Sequence, residues 1–204
     1  MRYPIAIATL LLGVVSATAQ PASRARDQTD WPCRQVKVAT IALASVWSGP
    51  PIDTAQDWRA DADFSALITR ASERRTPLED AQSAIADYAK RLGNDRNAKL
   101  TLLMAGIFDR LNRERADVIA GLERYGHKQK DMAERVKSEV EALNAAQSEA
   151  NPDQQKIEDL SNRVQWDTRV FEDRRRALTY VCETPVLIEQ RLGALARTIA
   201  AAMQ

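Results

Sequence analysis

Residues 99–203 carry two long apolar seams separated by Asn151-Pro152, and this pairing limits what the chain can fold into. Ahead of the Asn-Pro pair, Leu100, Leu103, Ile107, Leu111, Val118, Leu122, Tyr125, Met132, Val136, Val140 and Leu143 recur mostly at spacings of three and four, with polar interruptions. Behind it, Ile157, Leu160, Val164, Phe171, Leu178, Val181, Ile188, Leu192, Leu195 and Ile199 repeat the pattern. Such spacing puts one apolar stripe on each helix and is the period of a coiled-coil seam. Folded back on each other, the stripes meet in one antiparallel register. Leu143 then faces Ile157, Val136 faces Val164, Leu122 faces Leu178, Ile107 faces Leu192 and Leu100 faces Ile199. The members of each pair are equidistant from about residue 150, beside a proline that cannot continue a helix.

The same register makes several finer predictions. Gly106 falls opposite Gly193, where two backbones could approach closely, and Gln129 and Asp167 fall opposite Phe171 and Met132. Arg115 falls near Thr184-Pro185, where the fourth helix is expected to break or kink. The polar seam residues read as solvated positions of a thin two-stranded coil. A third helix of about fifty residues would be roughly 75 Å long, with bends expected at Gly106, Gly121 and Gly126.

Upstream of the hairpin the signals are shorter. Phe64, Leu67, Ile68 and Ala71 have helical spacing within residues 61–74. Thr76-Pro77-Leu78-Glu79 has the form of a capping box with proline at the first helical position, and Gly93 is placed to end that helix. Trp31-Pro32-Cys33 reads as extended chain. Residues 35–46 have no second strand to pair with and read as an irregular or partly helical wrap. Glycine and aromatic residues are scarce and strong helix formers abundant. The expected fold is all-α: a small helical bundle with a long antiparallel two-helix coiled-coil hairpin. An irregular N-terminal segment is stapled to it by one disulfide. Residues 31–204 form a single domain. The hairpin should project as a bare two-helix rod over residues 126–175, because no sequence remains to cover it.

The first residues bear on the compartment. Arg2, the apolar run over residues 5–15 and Ala17-Thr18-Ala19 have the form of a cleaved secretory signal, so residues 1–19 read as a signal peptide and residues 20–30 as a disordered leader. The apolar run is too short to span a bilayer, and no membrane span is expected after cleavage. A periplasmic or secreted location follows, and in such an oxidising compartment Cys33 and Cys182 are most simply one disulfide. Removing Arg2 with the signal peptide takes one of 29 basic residues and none of 28 acidic ones. The mature chain is then neutral and lacks the basic excess of a nucleic-acid binder.

Catalytic and metal-binding patterns are absent from the sequence. His127 is the single histidine, falls near Asp173 in the register, and has no nucleophile near it. There is no C-x-x-C, no H-x-x-H, no calcium loop and no glycine-rich phosphate loop. No cofactor, metal ligand or catalytic residue is assigned. The L-T-x-x-Q motif of helical periplasmic chaperones fails at its glutamine, since Met104 stands there after Leu100-Thr101. Arg174-Arg175-Arg176 points in three directions on a helix and reads as a solvated, ion-paired surface. Trp166, with Arg163 and Val170, forms a second stripe beside the seam, and Trp and Arg are common interface anchors. Trp166, Val170, Arg163 and Arg174 are therefore the candidate interaction residues. The expected function is that of an exported, non-catalytic, chaperone-like or scaffold protein acting through the hairpin on a protein partner or a second copy. The alternative is a small-molecule or ion binder with a pocket around Trp47, Trp58 and Tyr88.

Overall fold

The computed structural model describes residues 30–52 and 57–204, so the expected signal peptide and all of the expected leader except Asp30 lie outside the described residues. About 75% of the described residues are helical, and no strand occurs among them. The described residues hold four helices, α1 (Ala62–Ser72), α2 (Leu78–Lys90), α3 (Arg96–Gln147) and α4 (Gln154–Ala202), preceded by a 3-10 turn at Leu43–Ser45.

Helices α3 and α4 form the antiparallel hairpin in the register expected. Gln129 Nε2 donates to the Phe171 carbonyl and Tyr125 Oη to the Arg174 carbonyl, while Arg135 pairs with Asp167 across the seam at 3.9 Å. The turn lies between Gln147 and Gln154, with Asp153 capping α4 through the Lys156 amide. At the open end of the hairpin, α1 and α2 pack on α3 and α4 around a core of Ile68, Ile85, Leu103, Ile107, Leu192 and Leu195. Asp61 caps α1 by accepting from the Asp63 and Phe64 amides. Arg191, buried to 8% exposure, donates to the Ala71 and Thr76 carbonyls and so ties the α1–α2 connection to α4. Burial holds its guanidinium below its ordinary pKa.

Several local expectations are corrected. Thr76 makes no cap: Pro77 occupies the N-cap position of α2, without a side-chain hydrogen bond. The helix ends at Lys90 with Arg91 in right-handed geometry, and Gly93 has no positive φ, so it is not a left-handed terminator. Helix α4 does not break at Thr184-Pro185 and runs unbroken through the proline. A proline removes one helical hydrogen bond and disturbs the carbonyls of the preceding turn. One of those, the carbonyl of Cys182, accepts from Gln35 Nε2 of the N-terminal segment. Pro185 is also buried. The site where a break was expected is thus where another part of the chain attaches.

That part is residues 30–52, an irregular strap laid along the hairpin. Its direction is fixed by contacts in sequence order. Asp30 lies at Gly126, His127 and Lys130; Cys33 is bonded to Cys182; and Lys37 pairs with Glu123. Farther on, the Val38 carbonyl accepts from Arg115 and the Ile41 amide donates to Asn112 Oδ1 at 3.0 Å. Arg115 is the largest departure from the sequence reading. It is 3% exposed rather than solvated, with Nε 2.6 Å from Glu189 and Nη1 2.6 Å from the Val38 carbonyl.

The glycines of α3 are likewise explained by what crosses the helix. A Cβ on Gly106 would lie 2.4 Å from Ile68 Cδ1 and 3.1 Å from Trp58, so this residue admits α1 and Trp58. It does not serve a close approach to Gly193, whose own Cβ would meet Arg197 alone. A Cβ on Gly126 would lie 1.9 Å from the Asp30 carbonyl oxygen, a backbone atom that has to move. Gly126→Ala is therefore expected to lift the start of the strap and to cost about 1–3 kcal/mol in a urea melt. Gly121→Ala is the control: its Cβ meets nothing nearer than Arg124 Nη2 at 3.8 Å, and the better helix former should stabilise by up to ~1 kcal/mol. Equal effects of the two substitutions would refute the assignment of Gly126 to the strap.

Candidate functional site

Helices α1 and α2 reach along α3 only to about the Arg74–Glu114 ion pair, and the strap continues the cover to Gly126. Beyond it, the two-helix segment over residues 126–175 has no third element among the described residues. The burial pattern shows the change. On α4 no residue from Gln154 to Val181 is buried, whereas Cys182, Pro185, Ile188, Arg191 and Leu192 all are. On α3 beyond Gly126 the buried residues are Met132 and Ala146 alone. A two-helix ribbon can bury one stripe of each helix and leaves the flanking stripes in water. Among the described residues this segment stands as two helices alone, and at 1.5 Å per residue it extends roughly 35–40 Å.

The sequence-predicted residues Arg163, Trp166, Val170 and Arg174 lie at i, i+3, i+7 and i+11 and share one face of α4. Trp166 is 64% exposed, so its indole stands in solvent rather than folding over the seam onto Met132. Val170 is half-buried beside it, while Arg163 and Arg174 are exposed, with no ion pair among the described residues. Val140, 37% exposed, is the other large apolar side chain left open on the projection. The face thus presents an aromatic anchor between two free guanidinium groups.

The remaining candidates separate from this face. Arg175 and Arg176 make i,i+3 pairs with Glu172 and Asp173. His127 is exposed and lies 3.4 Å from Asp30 and 3.7 Å from Asp131, not beside Asp173. Neither cysteine is a free thiol that could serve it, since both are in the disulfide. Trp47 and Trp58 are buried in the core, Trp47 donating to the Pro50 carbonyl at 2.8 Å, and Tyr88 packs on Phe64 with ring centroids 5.8 Å apart. Burial raises the Tyr88 phenol pKa. Packing accounts for Trp47 and Tyr88, whereas Trp58 also lines a cleft of about 400 Å³ with Phe108, Asn112 and Arg113. Among the described residues no cluster of three or more His, Cys, Asp or Glu side chains is arranged to hold a metal ion, and no helix is long and apolar enough to cross a membrane.

One feature escaped the sequence reading. Eight large apolar side chains are exposed among the described residues, and six of them lie within five residues of Cys33 or Cys182: Val36, Val38, Tyr180, Val181, Val186 and Leu187. Tyr180, Val186 and Leu187 fall off the seam of α4, which was the available signal. Comparisons with known protein families, curated proteins and solved structures give no match to this chain.

Proposed function

We propose that this is an exported, non-catalytic scaffold or chaperone-like protein that works by contact, using the coiled-coil hairpin as an arm. The observation that carries the reading is the open Trp166 face on a projection that nothing else in the described chain covers. Export is supported by the signal-like start and by a disulfide that suits the periplasm or the exterior. The partner is a protein, and a second copy of this chain is the first to test. A large exposed indole flanked by arginines is the composition of an interface hot spot.

The test is light scattering on the purified mature chain, with periplasmic capture in parallel, for wild type and Trp166→Glu. The substitution is expected to weaken self-association or capture at least ~30-fold, the effect of losing one hot-spot anchor of about 2 kcal/mol. Stability should change by no more than ~0.5 kcal/mol, because the side chain is mostly in water already. A monomeric wild type whose capture profile is unchanged by the substitution would remove the basis of the proposal.

A further inference from the structure

A cleft of about 820 Å³ opens beside the disulfide, between the start of the strap and the outward face of α4. Both cysteines line it, so one wall is held in place by the disulfide. Its floor is apolar: Leu178, Val186 and Leu187, with Leu187 53% exposed and Val186 38%. Its charge is unevenly placed. Arg175 and Arg176 lie about two turns before Cys182, Val186 and Leu187 about one turn after it, and Arg34 comes from the strap. Three guanidinium groups stand against one carboxylate in the lining, that of Glu183.

Arg34 has no ion-pair partner among the described residues. The partners of Arg175 and Arg176, Glu172 and Asp173, are exposed i,i+3 neighbours. Such surface pairs contribute about 0–1 kcal/mol and leave the guanidinium groups able to engage a ligand. The cleft volume is within the range of small-molecule sites, about 300–1,000 Å³. A cationic end and an apolar end along one helix suit a molecule with an anionic head and a single alkyl tail. The strap wall makes the site concave, which fits a free molecule and not the flat surface of a bilayer.

We propose that this cleft binds a free single-chain anionic amphiphile, its head at Arg34, Arg175 and Arg176 and its tail along Val186 and Leu187. Because the Cys33–Cys182 bond holds the strap wall, binding requires the oxidised chain. The site is at the covered end of the molecule, away from Trp166, and stands or falls independently of the hairpin proposal.

The experiment is calorimetric titration of the oxidised chain with decyl phosphate below its micelle concentration. Decyltrimethylammonium, inorganic phosphate and phosphatidylglycerol vesicles serve as the comparison arms. Decyl phosphate is expected to bind one-to-one, with the other three at least about tenfold weaker or silent. Leu187→Asp, at an exposed position, should weaken binding about tenfold or more without lowering the melting temperature, through lost apolar contact and the cost of laying an alkyl tail against a carboxylate. Glu183→Gln should strengthen it about two- to fivefold by removing the one opposing charge. Reduction should abolish it while helicity persists. Equal binding of the cationic amphiphile, binding indifferent to Leu187→Asp or to reduction, or no binding of decyl phosphate would each overturn the proposal. Vesicle binding as strong as that of the free amphiphile would reassign the patch to a lipid surface and overturn it equally.

Discussion

Reduction of the Cys33–Cys182 disulfide is expected to lower the melting temperature by about 10–20 °C while leaving nearly all of the helical circular dichroism in place. The bond joins residues 149 apart in sequence. Closing a loop of that length in the unfolded chain is worth about 5 kcal/mol in the chain-entropy model, one of two competing accounts of disulfide stabilisation. For a domain of this size, 1 kcal/mol corresponds to roughly 2–4 °C. Helicity should survive because the tethered segment contributes one 3-10 turn, whereas the four helices hold one another through the core beneath Ile107 and Leu192. The loss should therefore be local first: hydrogen exchange at the Ile41 amide should accelerate before that of residues within α3 and α4. A melt that does not move after verified reduction would show that the strap is held by its polar contacts alone.

The hairpin register was legible because it depends on periodicity and on one turn. Leu143 and Ile157 bracket Asn151-Pro152, and once the turn is placed every later pair follows from equal counting along two helices of equal rise. The strap was legible only as an irregular wrap. It has no period, because its backbone groups are bonded by helix side chains such as Arg115 and Asn112 rather than by a regular ladder. For the same reason Arg115 reads from the sequence as a solvated seam residue, and the segments that cross α3 at Gly106 and Gly126 leave no signal in its periodicity. A position on a helix reports its own face, not which distant segment lies across it. Pro185 belongs with these. Local propensity predicts a break there, but burial of the ring and the Gln35 contact at the Cys182 carbonyl accompany an unbroken helix. Around the candidate face, the stripe of Arg163, Trp166 and Val170 followed from spacing. Whether the indole lay on the seam or in water required the packing of Met132 to be known.

Arg115 should be the most costly polar side chain of the strap interface to remove. It bridges three parts of the molecule: it sits on α3, ion-pairs with Glu189 of α4 and donates to the Val38 and Ala39 carbonyls of the strap. Breaking a fully buried ion pair costs about 3–5 kcal/mol, much of it from the charge left stranded. Here the Glu189 side chain is 42% exposed and can return to water, and Val38 and Ala39 are exposed as well, so the stranded-charge part is discounted. What remains is the loss of several charge-assisted hydrogen bonds and a cavity at a residue 3% exposed, giving about 2–3 kcal/mol for Arg115→Ala. Arg115→Lys should recover less than half of this, since an ammonium cannot present a planar fork to a carboxylate and a carbonyl at once. Glu189→Gln should cost less than ~1 kcal/mol, because that partner is partly solvated. The strap also makes the Arg115 and disulfide effects interdependent. In the oxidised chain Cys33 keeps Val38 near α3 even without the guanidinium; in the reduced chain nothing covalent does. Arg115→Ala and reduction together should therefore depart from the sum of their separate costs by 0.5 kcal/mol or more, as perturbations sharing one contact do. Strict additivity, or an Arg115→Ala melt within 0.5 kcal/mol of wild type, would mean that Arg115 does not hold the strap.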